Sequence, residues 1–211
     1  GNGYLAVWHM NGKDCAPDSL GNFNLTLKDG AGTVPALIGT GVESTGGKAG
    51  LEYRYLRGEK APALPAGQSF TLSCWVNLRK NGGHFFYDYP VQLFYHPAKR
   101  WQVNFNKPKA IGAFSYLTDR NPYNRWVNLS IVYDGGNKTL RLFVDGKPGE
   151  LFKNADFPGL RAKSILSLMS TDALGDEFTL SNTARSPEWI AAAYENQKDS
   201  AAVSIGKIET R

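Results

Sequence analysis

Aromatic and basic side chains are concentrated in residues 84–126 of this chain. Aromatic rings can stack on the apolar faces of sugar rings, and planar polar groups beside them can bind hydroxyl groups. Alternation along a strand places Trp101 on the same face as Val103 and Phe105, so we assign Trp101 to the core. The alternative is that most of the aromatic side chains fill a core in this way. The residues that we expect to be exposed and to bind carbohydrate are Tyr87, Tyr89, Arg100, Tyr116, Arg120 and Tyr123.

The acidic residues do not show the spacing of a glycoside hydrolase. Such an enzyme places two carboxyl groups beside the scissile bond, about 5 Å apart for retention and farther apart for inversion. Asp172, Asp176 and Glu177 come closest, but their spacing does not direct two acids inward together. The sequence also has no Gly-x-Ser-x-Gly elbow and no phosphate-binding loop. We therefore expect that the protein is not an enzyme.

Charge and length limit the partners and the domain count. The net charge is +5, from 24 Lys and Arg against 19 Asp and Glu, and the excess is spread along the chain. Nucleic-acid-binding proteins concentrate their positive charge, so we expect no nucleic acid partner, whereas an acidic polysaccharide remains a possible partner. No apolar run approaches the roughly 18 residues of a membrane span, which predicts no transmembrane segment. A length of 211 residues suits a single domain over 1–211.

Strand patterns follow one another along nearly the whole sequence. Their spacing of about ten residues without intervening helices predicts an all-β sandwich. In one hairpin, a Gly-containing turn at 134–137 is expected to supply the positive φ that such turns need. The predicted strands span 4–10, 23–27, 51–55, 70–78, 84–89, 91–95, 101–105, 112–117, 126–133, 139–145, 165–169, 177–181 and 201–207.

One short helix is predicted near the end of the chain. Ser186 is a good N-cap, and Pro187 suits the first helical position. Residues 188–196 carry Trp189, Ile190 and Tyr194 at helical spacing, which is enough to dock one or two turns onto a sheet.

Three segments of the sequence resemble one family. They are Ala-Val-Trp-His-Met at 6–10 with Asp-Ser-Leu-Gly-Asn at 18–22, the hairpin at 126–148, and the closing segment at 176–197. Together they resemble the laminin-G-like, concanavalin A-type modules of exported bacterial proteins. The resemblance implies a two-sheet antiparallel jelly-roll sandwich with one short C-terminal helix. Glycanases of this fold carry a Glu-x-Asp-x-x-Glu strand, and this sequence has none.

The resemblance also implies a structural calcium ion at the edge of the sandwich. Asp176, together with Asp18 and Asn22, occupies the matching positions, and calcium prefers such oxygen ligands. The alternative is that Asp18 and Asn22 cap a turn through hydrogen bonds while Asp176 begins a strand. Glu177 is then expected to pair with a base such as Arg185.

These observations lead to a functional hypothesis with two alternatives. We expect a non-catalytic carbohydrate-binding, lectin-like module of a larger exported bacterial protein, located in the periplasm, at the cell surface or outside the cell. The parent protein is expected to carry other domains. The first alternative is a protein-interaction or spacer domain of the same fold, and the second is a polysaccharide hydrolase or lyase.

Overall fold

Alternating apolar side chains produce sixteen strands, and a capped segment produces one helix, among the residues that the structure describes. The structure is a computed structural model, and it describes residues 2–13, 15–27, 31–45, 56–58, 60, 62–79, 84–88, 91–96, 100–105, 111–117, 121–160, 166–168 and 171–199. In chain order the elements are β1 (Tyr4–Trp8), β2 (Cys15–Ala16), β3 (Leu25–Leu27), β4 (Ala31–Pro35), β5 (Thr40–Thr45), β6 (Leu56–Gly58), β7 (Phe70–Leu78), β8 (His84–Asp88), β9 (Val91–His96), β10 (Arg100–Phe105), β11 (Ile111–Leu117), β12 (Trp126–Asp134), β13 (Thr139–Val144), β14 (Lys147–Phe152), β15 (Leu166–Leu168), β16 (Asp172–Ser181) and α1 (Pro187–Gln197).

The strands form two antiparallel sheets of eight strands each. Sheet A has the order β14-β13-β12-β7-β16-β5-β4, and β1 also pairs with β16. Sheet B has the order β11-β10-β9-β8-β15-β6-β3-β2. Neighbours in each sheet are often distant in sequence, as in a jelly roll. The predicted all-β sandwich with a C-terminal helix is therefore confirmed.

A single hydrophobic cluster lies between the sheets. Leu72 and Val127 of sheet A belong to the same buried cluster as Leu93 and Trp101 of sheet B. The hairpin face predicted from alternation is also buried, with Val127, Leu129, Ile131 and Tyr133 each at most 1% exposed. This face stabilises the sandwich because it removes a continuous apolar surface from water.

Helix α1 covers part of the outer face of sheet A. The Ser186 hydroxyl accepts a hydrogen bond from the Trp189 amide, which confirms the predicted N-cap. Ile190 packs on Val132 and Phe143 of sheet A, and Tyr194 stacks on Trp75 at a centroid distance of 5.6 Å. No helix in the described part of the chain is long and apolar enough to cross a membrane.

Several strand boundaries differ from the predicted ones. Strands β4 and β5 were not predicted, because the Gly-containing sequence of β4 carries only half-buried or exposed side chains and lies at a sheet edge. The chain after 145 forms β14 instead of only a tight turn. The predicted strands 51–55 and 201–207 lie outside the described residues.

The turn at 134–137 needs glycine for a different reason from the predicted one. The positive φ near this turn belongs to Lys138, at 50°, whereas neither Gly135 nor Gly136 has a positive φ. Gly135 instead lies so close to the backbone of another turn that a Cβ atom would be 1.8 Å from the Gly67 carbonyl oxygen. The prediction of positive φ at the glycines was therefore wrong, and close backbone approach is the constraint.

We expect Gly135→Ala to lower the free energy of unfolding by about 1–3 kcal/mol, because a methyl group there must displace backbone atoms. Gly136→Ala is the matched control, since its Cβ would lie 3.4 Å from the Asp134 side chain. Urea unfolding of both variants measures the difference. Equal loss in the two variants would contradict the close approach at Gly135.

Candidate functional site

The outer face of sheet B carries a group of polar and aromatic side chains. Along β9 and β10, the residues Val91, Leu93, Tyr95, Trp101, Val103 and Phe105 are buried in the core. The alternating residues therefore point to the other side of the sheet. We define the polar–aromatic face as the seven residues His84, Gln92, Phe94, His96, Arg100, Gln102 and Asn104.

Three rings of this face lie next to one another. The Phe94 ring is 5.1 Å from the His84 ring and 6.1 Å from the His96 ring, measured between centroids. His84 is paired with Phe94 across β8 and β9, and His96 follows two positions later on β9. The planes of the two histidine rings are tilted by 53° and 50° from that of Phe94, so the three rings form an uneven aromatic surface centred on Phe94, which is half-buried. Such a surface can pack against the C–H groups of a sugar ring.

A row of hydrogen-bonded polar groups runs beside the rings on β10. Arg100 Nε donates to Gln102 Oε1 at 3.2 Å, and Gln102 Nε2 donates to Asn104 Oδ1 at 2.8 Å. Because these contacts fix the amide orientation of Gln102, they also preorganise the row.

Each residue of the polar row lies opposite a residue of β9. Arg100 faces His96, Gln102 faces Phe94, and Asn104 faces Gln92. Adjacent strands are about 4.8 Å apart, so one ligand can contact a ring and a polar group at once. From Arg100 to Asn104 the row is about 14 Å long, at ~3.4 Å per residue. The face is therefore long enough for an oligosaccharide.

Burial disfavours the charged form of the His84 imidazole. Burial lowers the pKa of His84 below its ordinary value, and a hydrogen bond with Gln92 acts in the opposite direction. A neutral imidazole has one donor and one acceptor nitrogen. Arg100 gives the face a positive charge that does not depend on pH.

The structure places the predicted carbohydrate-binding residues in different parts of the fold. Arg100 lies on the polar–aromatic face, whereas the Tyr123 ring packs edge-on against buried Tyr95, at 5.9 Å, on the core side of β9. The backbones of Tyr87 and Tyr116 pair with Gln92 and Trp101, respectively, but their side chains lie outside the described part. Tyr89 and Arg120 also lie outside the described residues.

Six members of the face were missing from the predicted set, which favoured tyrosines. The signal that identifies them is the same alternation that assigned Trp101, Val103 and Phe105 to the core. On β10 this alternation directs Gln102 and Asn104 outward, and the pattern on β9 does the same for Phe94.

The Asp18 carboxylate organises the loop after β2. Its Oδ1 atom accepts from the amides of Val7 and Leu20, and its Oδ2 atom accepts from those of Asn22 and Phe23, at 2.9–3.1 Å. The side chain is 4% exposed. A calcium ion at Asp18 would have to displace some of these four donors. The hydrogen bonds are those of the turn-capping alternative, and the Asn22 side chain donates to the Leu20 carbonyl.

Asp176 lies at a β-bulge in sheet A. The pairing of β16 with β7 shifts register between Asp176 and Thr179, and Glu177 has a φ of 49°. Asp176 is fully buried, and its two oxygens accept from the Ile38 and Glu177 amides at 2.9 Å. Burial raises the pKa of Asp176 to about 7; the Ile38 hydrogen bond opposes this rise, and the charge of Glu177 adds to it.

Glu177 pairs with His9, so the expected pairing with Arg185 was wrong. The His9 Nδ1 atom is 2.7 and 2.9 Å from the two carboxylate oxygens of Glu177, although the residues are 168 positions apart. This contact ties the end of β1 to the bulge in β16. The Arg185 guanidinium lies instead over the rings of Tyr4 and Trp189, at 5.3 and 4.7 Å.

Within the described segments, no group of three or more His, Cys, Asp or Glu side chains could hold a metal ion. Asp18 and Asp176 are each engaged by separate backbone amides. Asp176 accepts two hydrogen bonds from described residues, fewer than Asp18, so it has more capacity for a cation. Calcium binding at Asp18, Asn22 and Asp176 stays a prediction.

The fold and the sequence together define the class of protein. The family model Laminin_G_3 matches residues 52–191, and the chain belongs to this family of the concanavalin A-like lectin/glucanases superfamily. The resemblance found in the sequence is therefore confirmed. No curated protein matched the chain in a sequence comparison.

Solved structures show which particular proteins share this fold. The binding domain of Paraclostridial Mosquitocidal Protein 1 superposes with a TM-score of 0.72 at 14% identity, covering 91% of this chain and 52% of that one. Domain 4 of AbnA, a GH43 extracellular arabinanase from Geobacillus stearothermophilus in complex with arabinotriose, superposes with a TM-score of 0.65 at 17% identity. The match covers 90% of this chain and 97% of that one. The botulinum neurotoxin serotype D ligand-binding domain, in complex with N-acetylneuraminic acid, superposes with a TM-score of 0.67 at 15% identity. The match covers 93% of this chain and 51% of that one.

Two of these comparisons cover only part of the other chain. This chain covers about half of the mosquitocidal-protein and neurotoxin chains, whereas it covers nearly all of domain 4 of the arabinanase. At these identities the likeness shows a shared fold.

Proposed function

We propose that this protein is a non-catalytic carbohydrate-binding module and that the polar–aromatic face of sheet B is its binding surface. The observation that carries the proposal is the pairing of the Phe94 ring with the hydrogen-bonded row of Arg100, Gln102 and Asn104. A sugar ring on Phe94 would place its hydroxyl groups beside these donors and acceptors. Protein sites for small ligands combine apolar contact area with a few oriented polar groups in this way.

The position of the face supports a role in binding. Helix α1 packs on sheet A, where Ile190 and Tyr194 cover outward-facing apolar side chains. No described helix covers the polar–aromatic face of sheet B. The half-buried Phe94, Arg100 and Asn104 offer a ring and ordered polar groups to a partner, whereas Gln102 is 5% exposed and orients its two neighbours.

A binding role without catalysis agrees with the chemistry of the face. None of its seven residues is acidic, so it lacks the carboxylate pair of a glycoside hydrolase. The similar structures include a domain bound to arabinotriose and one bound to N-acetylneuraminic acid. By analogy, this module would serve an exported, multidomain protein and bring it to a glycan.

We expect Phe94→Ala to weaken glycan binding about tenfold, corresponding to ~1.4 kcal/mol, because the central ring of the face is lost. Leu151→Ala is the matched control, since Leu151 is an exposed apolar residue on β14 of sheet A. A glycan array identifies ligands for the unmodified protein, and titration calorimetry then compares the variants. Circular dichroism checks that each variant is folded.

Two results would contradict this proposal. If the unmodified protein binds no glycan, the alternative of a protein-interaction or spacer domain becomes the better hypothesis. If Phe94→Ala and Leu151→Ala bind with equal affinity, the binding surface lies elsewhere. Incubating the bound glycan with the protein and assaying for new reducing or unsaturated ends tests the hydrolase and lyase alternatives.

A further inference from the structure

Arg100 differs in its surroundings from three other described arginines. Arg79 forms an ion pair with Glu43, Arg125 pairs with Asp145, and Arg185 lies over two aromatic rings. Arg100 makes no ion pair with any residue that the structure describes. Its Nε atom donates to Gln102, and no hydrogen bond joins its two terminal nitrogens to a residue that the structure describes.

The charge of Arg100 is permanent and is not balanced by the rest of the face. A guanidinium does not lose its proton in proteins, and no acidic residue belongs to the polar–aromatic face. Across the sheet, Arg100 is paired with His96 on β9 and with Leu117 on β11, neither of which is acidic. The low pKa of His84 keeps that imidazole neutral near pH 7.

The face therefore has a charged end and a neutral end. Arg100 lies at one end of the polar row, whereas Asn104 and Gln92 form the other end, with Phe94 opposite the middle. A ligand that matches this order has a negative group at one end and an uncharged, hydroxyl-rich ring next to it.

We infer that the module selects acidic saccharides and binds a sugar carboxylate at Arg100, an inference that rests on the proposed function. The planar guanidinium presents parallel N–H donors whose spacing matches the two oxygens of a carboxylate. The neighbouring neutral sugar would lie on Phe94, with a hydroxyl group at the half-buried Asn104. The ligand class is thus a uronic-acid or sialic-acid oligosaccharide.

The test compares each acidic oligosaccharide with its carboxyl-reduced form. We expect the unmodified protein to bind the acidic form at least tenfold more tightly than the reduced form. In Arg100→Gln this ratio is expected to fall to about one to two, and in Arg100→Lys to an intermediate value, because lysine keeps the charge but loses the paired donors. Lys147→Gln, which removes an exposed charge from sheet A, is the control and should keep the full ratio.

The possible results separate this inference from the proposed function. Equal affinity for the acidic and reduced forms would overturn the inference, and so would an unchanged affinity ratio in Arg100→Gln. In both cases the proposed glycan-binding function would stand. Failure to bind any glycan would remove both. Tighter binding of a sulfated form than of the carboxylate form would also overturn the assignment to carboxylates. The ratio in the unmodified protein needs no variant, so the test does not depend on the folding of Arg100→Gln.

Discussion

The Asp18→Asn variant is expected to lose about 3–5 kcal/mol of unfolding free energy in calcium-free buffer. The buried carboxylate accepts four backbone hydrogen bonds, two at each oxygen. An asparagine amide keeps one oxygen but places an NH₂ group against the other two donors. Each lost hydrogen bond to a charged group costs about 1.5–3 kcal/mol.

The control for this prediction is Asp134→Asn. Asp134 also accepts backbone amides in a turn, from Gly136 and Asn137, but those contacts are exposed to solvent. We expect a loss of only about 0.5 kcal/mol there. Chemical denaturation in the presence of EDTA measures both variants. If Asp18→Asn lost stability only when calcium was present, Asp18 would be a metal ligand and its hydrogen bonds would be secondary.

Asp176→Asn is expected to have the opposite effect at alkaline pH. Burial raises the pKa of Asp176 from the ordinary 3.8 to about 7, so the folded protein holds a proton that the unfolded chain releases. The stability that goes with this proton is fully present below about pH 4. It decreases as the unfolded chain ionises and is lost above about pH 7. The difference between the two pKa values corresponds to about 4 kcal/mol.

The variant removes this pH dependence. Asparagine cannot ionise, but its single oxygen cannot accept both the Ile38 and the Glu177 amides, which costs about 1–3 kcal/mol at every pH. Relative to the unmodified protein, we expect Asp176→Asn to gain stability between about pH 5 and about pH 8.5 and to be the more stable protein at about pH 8.5. The relative change is about 3 kcal/mol between these two pH values.

Urea unfolding at both pH values in EDTA checks this expectation. A stability difference between the two proteins that does not change with pH would show that Asp176 is ionised throughout. Repeating the measurement with calcium tests the predicted metal site. If Asp176 is a ligand, calcium will stabilise the unmodified protein at about pH 8.5 and have a much smaller effect on Asp176→Asn.

Local sequence patterns were sufficient to predict the strands with regular alternation and the helix. Val91, Leu93 and Tyr95 alternate with polar or half-buried residues, and this pattern depends only on the two-residue period of a strand. Ser186 and Pro187 begin α1 through local hydrogen bonding and a fixed φ. These features are predictable because their causes lie within a few residues.

The tertiary structure decided which side chains meet. His9 and Glu177 are 168 positions apart, and the Asp18 carboxylate accepts an amide from Val7, eleven positions away on β1. The sequence favoured Tyr123 as a ligand-binding residue, but the fold places its ring against Tyr95 on the core side. Such contacts depend on strand order, which local periodicity does not specify.

The chain path also determines which sheet face the helix covers. The apolar positions of α1 predict that it docks on a sheet, but only the chain path places it on sheet A, where Ile190 meets Val132 and Phe143. The polar–aromatic face of sheet B arises because β8, β9 and β10 bring His84, Phe94 and Arg100 together. Alternation alone predicts that these residues point away from the core. Strand pairing is what makes them neighbours.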